Sequence, residues 1–102
     1  PTGPYLVTKN EITDINNLNL SLDVNGERRQ TGNTERMIFN FNFLISHISH
    51  FMTLYPGTII TTGTPAGTAM EMDMPKFLQV GDKLNLKVDQ LGEQNHKVVN
   101  ES

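Results

Sequence analysis

Leu18, Leu20, Leu22 and Val24 alternate with Asn19, Ser21 and Asp23, the period of two that marks a strand with one buried and one wet face. Asn25-Gly26 follows at once. That pair favours a two-residue type I′ turn, in which both central residues need positive φ, so Glu27-Arg28-Arg29-Gln30 is expected to run back alongside. Leu84, Leu86 and Val88 alternate again after Val80-Gly81-Asp82. The turn-like stretch Leu91-Gly92-Glu93-Gln94-Asn95, with Val98-Val99 beyond it, predicts a second hairpin.

Between the hairpins the period changes to 3.6 and predicts one helix over about 41–53. Asn40 can cap it by accepting an N–H bond from the first turn, and Phe39 and Leu44 are spaced as a hydrophobic staple. Leu44, Ile45, Ile48, Phe51 and Met52 share one face, which is expected to pack on the sheet. Tyr55-Pro56-Gly57 should stop the helix, because the residue before a proline avoids helical angles. Phe43, His47 and His50 form a separate stripe, a candidate contact with another chain. His47 and His50 are three apart and could in principle share a metal, but no nearby carboxylate completes a ligand set, so a solvated or interface face is the plainer reading. His96 falls in the second hairpin, where a surface or packing role is expected.

The densest chemistry lies in Thr58-Ile59-Ile60-Thr61-Thr62-Gly63-Thr64-Pro65-Ala66-Gly67. A β-branched run, expected to be a strand, drives into a glycine-bracketed turn stiffened by Pro65. Backbone N–H groups around Gly63 and the Thr64 hydroxyl could converge on a carboxylate, since an anion is held best by several fixed donors. A plain strand-to-loop connection fits the same spacing. Further on, Glu71 and Asp73 mimic an acidic pair spaced for a hard cation, although a surface loop explains them as well. Met70, Met72 and Met74 around them could make an adaptable apolar flap.

Composition narrows the setting. The 102 residues and 11.4 kDa leave room for one domain. Cysteine is absent, which removes disulfides, thiol nucleophiles and thiolate metal sites and fits a reducing, cytoplasmic compartment. The net charge of −3 argues against a nucleic-acid partner. No apolar run approaches the roughly 20 residues of a membrane helix, and the start Pro1-Thr2-Gly3 lacks the regions of a signal peptide. A start without methionine looks like a cut end, so residues 1–102 are expected to be a single domain or a fragment.

Several motifs carry a resemblance: Gly3-Pro4-Tyr5-Leu6-Val7-Thr8, Val24-Asn25-Gly26-Glu27, Gln30-Thr31-Gly32-Asn33-Thr34, Met37-Ile38-Phe39, Phe51-Met52-Thr53-Leu54, Pro56-Gly57, and the threonine turn. In this order and with these gaps the chain resembles the C-terminal part of the fumarylacetoacetate hydrolase family over nearly its whole length. The resemblance implies a β-rich α+β fold, part of the family's mixed β-roll, with the one helix packed on the sheet. It implies enzymes that act on small 2-oxo or β-diketo acids and dioates of aromatic catabolism through an enolate held on Mg²⁺ or Mn²⁺. Such members hydrolyse acylpyruvates, decarboxylate oxaloacetate-like acids, or isomerise 2-hydroxyhepta-2,4-diene-1,7-dioate.

The family's metal ligands, a Glu-x-Glu pair and a later aspartate, with a lysine further on, lie before the segment that corresponds to Pro1. The resemblance therefore implies no metal ligand and no catalytic residue within this chain, which alone is expected to be inactive. Glu71 and Asp73 receive no role by this transfer, and their loop departs from the glycine-containing loop expected of relatives. Thr64 corresponds to the threonine of the family's Gly-Thr-Pro turn and is expected to bind the substrate carboxylate with backbone groups at Gly63. Gly3, Pro4 and Asn33 match family motifs with only structural or interface roles to offer. A homodimer is expected. The alternative is a non-catalytic dimerisation or small-acid binding module that lacks the metal site.

Overall fold

In the computed structural model, which describes residues 1–101, strands β1 (Asn19–Val24) and β2 (Glu27–Asn33) form the first hairpin. Asn25 and Gly26 take φ of 52° and 81°, both positive as the type I′ turn requires. The other edge of β1 pairs with β3 (Lys83–Val88), and β3 pairs with β4 (Gly92–Lys97), so the antiparallel sheet runs β2-β1-β3-β4. Asn25 also ties the two hairpins together. Its backbone N–H donates to the Lys83 carbonyl at 2.8 Å, its Oδ1 accepts from the Lys83 N–H at 2.9 Å, and its Nδ2 donates to Asp82 at 2.8 Å. Leu18, just before β1, and Val24, at its end, are the buried apolar side chains among the described residues. The strand forms where its alternation predicts, but Leu20, Ser21, Leu22 and Asp23 are all half-buried, so neither face is fully wet.

The second hairpin forms with a different turn. Residues 89–91 make the reversal, closed by the Leu91 N–H on the Val88 carbonyl at 3.1 Å, with Gln90 at φ 62°. The stretch expected to turn, 91–95, is mostly strand β4, and Val98-Val99 lies beyond it. The polar run of β4 hid it, because an edge strand with an open face can carry polar residues throughout. Gly92 is required where β4 begins. A Cβ there would meet the Tyr5 Oη at 2.7 Å and the Pro4 Cγ at 3.0 Å, so the N-terminal segment can lie on this strand. The Gln94 side chain also donates to the Gly3 carbonyl.

Helix α1 spans Phe41–Ser49, and the Asn40 Oδ1 accepts from the Phe43 N–H at 2.9 Å as expected of its cap. It ends earlier than the expected 53. The Ser46 carbonyl is taken by the Ser49 hydroxyl (2.8 Å) and by the His50 ring (2.6 Å), while the His50 N–H turns to the His47 carbonyl (3.2 Å). Local side-chain bonds of this kind compete with the helical ladder. The expected packing face is also divided. Leu44 and Ile48 are half-buried, but Ile45, Phe51 and Met52 are exposed, and the strand-to-strand contacts dominate the fold. Tyr55-Pro56-Gly57 forms a turn with Gly57 at φ 90° and the Thr58 N–H on the Tyr55 carbonyl.

Residues 58–62 form no strand. Their β-branched side chains favour extension, yet no described strand offers them a ladder, and β propensity expresses itself through such pairing. Leu18→Ala is expected to lower stability by about 2–5 kcal/mol in urea denaturation, the usual cost of emptying a buried leucine site. Ile38→Ala, at a side chain 91% exposed, should change it by less than about 0.5 kcal/mol.

Candidate functional site

The site begins with a slip in the first hairpin. Leu22 faces Gln30 while Asp23 faces Arg28, which makes Arg29 the extra residue of a β-bulge. Strict alternation from Glu27, which faces Val24, would turn Gln30 away from the face of Leu20, Leu22 and Val24. The added residue brings Gln30 and Gly32 round to that face.

The threonine turn is seated there. Pro65 lies over Gly32, where a Cβ would stand 3.0 Å from the Pro65 Cβ and 3.3 Å from the Leu20 Cδ1. Gly67, at φ 104°, lies so close to the Arg29 carbonyl that a Cβ would run into its oxygen. Between these contacts the Gln30 Nε2 donates to the Thr64 Oγ1 at 2.9 Å and to the Pro65 carbonyl at 2.7 Å. Behind the turn, the Glu71 Oε2 accepts from the N–H groups of Gly67 (2.6 Å) and Thr68 (3.1 Å). Those two N–H groups, Gly67 first, hold the Glu71 carboxyl below the usual glutamate range. Thr68-Ala69-Met70-Glu71 has the T-x-x-E spacing of a capping box, a signal in the sequence that the cation-like reading of Glu71 and Asp73 passed over.

In front of the turn lies a cavity of about 580 Å³ whose walls include Gly63, Thr64, Leu20, Arg36, Phe41 and Leu44, within the size range of small-molecule sites. Gly63 stands at φ 92° and Thr64 is exposed. The backbone N–H groups of Gly63 and Thr64 donate to no other backbone group among the described residues. Thr64 and Gly63, the residues expected to bind a carboxylate, line this cavity together with Arg36, which sequence reasoning did not single out, while Gln30 meets Thr64 from the strand. Arg36 joins none of the ion pairs among the described residues and adds positive charge to the wall. Its sequence neighbours Thr34-Glu35-Arg36 form a single 3-10 turn after β2, too short for a periodic signal.

Other candidates take structural places. Asn33 caps that 3-10 turn through its Oδ1 on the Glu35 N–H (2.9 Å) and donates to Asn17 and Asn19. His96 is half-buried beside Gln94 (2.9 Å). The Met72 sulfur accepts a hydrogen bond from the Arg29 guanidinium at 3.4 Å, whereas Met70 and Met74 are exposed. Phe43 and His47 on the helix, with Phe39 before it and Phe51 after it, bring their rings together in succession with centroids 4.7, 5.9 and 5.1 Å apart, the first two pairs stacked and the His47 and Phe51 rings edge-on. His50 is not part of this ladder, since its ring turns back to the Ser46 carbonyl.

The model of the fumarylacetoacetate (FAA) hydrolase C-terminal domain matches residues 1–99. The chain belongs to the fumarylacetoacetate hydrolase family. It is 49% identical over 92 residues to an uncharacterized protein of Staphylococcus aureus (strain USA300), covering 90% of this chain and 31% of that one. The fumarylacetoacetate hydrolase of the psychrophilic Exiguobacterium antarcticum superposes with a TM-score of 0.94 at 35% identity, over 99% of this chain and 36% of that one. The maleylpyruvate hydrolase of Sphingobium sp. SYK-6, solved with manganese(II) and pyruvate, superposes at 0.86 with 34% identity, over 98% and 35% of the two chains. The chain thus spans about a third of the length of these relatives.

A metal centre of the family kind does not fit on these residues. No three His, Cys, Asp or Glu side chains converge among the described residues, and the Glu71 carboxylate is engaged by the amides behind the turn. That engagement should be visible in pH. Because the folded Glu71 binds its proton less readily than the unfolded chain, its stabilising effect is full above the ordinary glutamate range and fades as pH falls through it. The gap in melting temperature between the wild type and Glu71→Gln is expected to shrink from about pH 5 to about pH 3. Glu11, Asp82 and Glu93, also held low by hydrogen bonds, are common to both proteins. A gap that stays constant in thermal melts would show that Glu71 does not hold the turn.

Proposed function

We propose that this chain supplies the carboxylate-gripping wall of an enzyme site for small 2-oxo or β-diketo acids, acting as a 2-hydroxyhepta-2,4-diene-1,7-dioate isomerase or an acylpyruvate hydrolase in the cytoplasm. The observation that carries the reading is Thr64. It is an exposed residue that lines a cavity together with Gly63 and the cationic Arg36, and the backbone N–H groups of Gly63 and Thr64 donate to no other backbone group among the described residues. Those are donors suited to a carboxylate. The pyruvate bound to the related maleylpyruvate hydrolase supports the same ligand class here. Mg²⁺ or Mn²⁺, when bound elsewhere in the enzyme, would stabilise the enolate, and the residues of this chain bind and orient the acid.

The division of labour is testable on the chain itself. With Mg²⁺ or Mn²⁺ and oxaloacetate or an acylpyruvate, it is expected to show no chelator-sensitive turnover. Pyruvate should nevertheless shift the amide resonances of residues 63–66, and Thr64→Val should lose about 1.5–3 kcal/mol of that binding, the usual worth of a hydrogen bond to a charged group. Turnover abolished by chelator would overturn the first expectation. Equal pyruvate affinity in Thr64→Val would overturn the second.

We also propose that the chain associates as a homodimer. The Phe39, Phe43, His47 and Phe51 ladder leaves its three phenylalanine side chains 52%, 48% and 78% exposed, a patch of the kind that marks contact surfaces. Burying it between copies would stabilise the folded form by mass action, so the melting temperature should rise with protein concentration. Phe43→Glu is expected to remove that dependence while keeping the circular dichroism of the fold. A monomer in sedimentation across the same concentrations would count against the dimer.

A further inference from the structure

We propose that Gln30 is a positioning residue for Thr64, and that its side-chain amide biases the Thr64 hydroxyl to donate toward an anion in the cavity. The inference rests on the carboxylate reading of Thr64 and deepens it.

A threonine hydroxyl is ambiguous. It carries one donor hydrogen and two acceptor lone pairs, and its hydrogen rotates to suit its neighbours. Facing a cavity with no fixed neighbour, it would serve a carboxylate, an alcohol or an amine alike. The Gln30 contacts narrow that freedom. A backbone carbonyl can only accept, so the Gln30 atom 2.7 Å from the Pro65 oxygen is the amide nitrogen. Its second hydrogen then points at the Thr64 Oγ1, 2.9 Å away. Thr64 accepts from Gln30, and its own hydrogen must point elsewhere.

Accepting one hydrogen bond also polarises the hydroxyl and strengthens the bond it donates. A group fixed before the ligand arrives loses less entropy on binding. Both effects favour an acceptor such as a carboxylate over a ligand that needs to donate. Glutamine is suited to this task where glutamate is not. A carboxylate at residue 30 would accept the Thr64 hydrogen instead of supplying one, would have no hydrogen for the Pro65 carbonyl, and would repel an anion. The bulge at Arg29 is what lets the side chain reach the turn.

The test uses nuclear magnetic resonance of this chain with pyruvate as the probe. In the wild type, the Gln30 side-chain protons should exchange more slowly with water than those of exposed glutamines, and the Thr64 χ1 couplings should report one rotamer. Gln30→Met, of similar length but without a donor, should leave the backbone spectrum folded while Thr64 averages between rotamers. Its pyruvate affinity should fall about tenfold or more, as when one hydrogen bond to a charged group is lost. Gln30→Glu should keep Thr64 ordered and still lose pyruvate.

A single Thr64 rotamer and unchanged affinity in folded Gln30→Met would overturn the inference. Fast-exchanging Gln30 protons in the wild type would do so as well, and that measurement decides even if the variant fails to fold. If the wild type shows the ordered Thr64 and protected Gln30 but no response to pyruvate, the carboxylate reading of the turn fails while the positioning of the hydroxyl stands.

Discussion

The seating of the threonine turn on β2 is the constraint on which the site depends. Three features of one strand make it possible. The bulge at Arg29 turns Gln30 to the right face, Gly32 leaves room for Pro65, and the Arg29 carbonyl lies where only a glycine at position 67 can pass. A side chain at Gly32 or Gly67 would push the turn off the strand, and without the bulge the Gln30 amide would face away. Glu71 completes the arrangement from behind by engaging the N–H groups of Gly67 and Thr68. Thr64 is therefore held by a rigid strand although it sits in a loop, which is how a binding group can be both exposed and ordered.

The sheet that supplies this platform is tied together by few groups. Asn25 combines a positive-φ turn with three bonds to Asp82 and Lys83, so one residue closes the first hairpin and registers the second against it. The apolar core among the described residues is small, with Leu18 and Val24 buried. Large apolar side chains such as Leu6, Ile38, Ile59 and Phe77 stay open to solvent. Relatives about three times as long contain this whole fold as one part.

Much of the fold was legible in the sequence because its signals are local. The Leu18 to Val24 strand, the Asn25-Gly26 turn and the Asn40 cap each depend on neighbours within a few residues, and each is present. The failures share another cause. The helix ended at Ser49 because Ser49 and His50 side chains competed for the Ser46 carbonyl, the second turn fell at 89–91 because β4 is polar, and the Ile59-Ile60 run stayed unpaired because extension needs a neighbouring strand.

For the site, the sequence by itself determined that a glycine-bracketed threonine would be presented at a turn, and the spacing of its motifs pointed to the family. Only the tertiary structure decided what that threonine could do. Gln30 and Thr64 are 34 residues apart, and no periodicity connects them. Their meeting depends on the extra residue in a hairpin and on two glycines that let backbones approach, and a bulge has no sequence signature as plain as alternation. Chemistry that rests on backbone geometry at long sequence separation becomes visible only when the chain is folded, because the relevant variable is which face a side chain takes and not which residue it is.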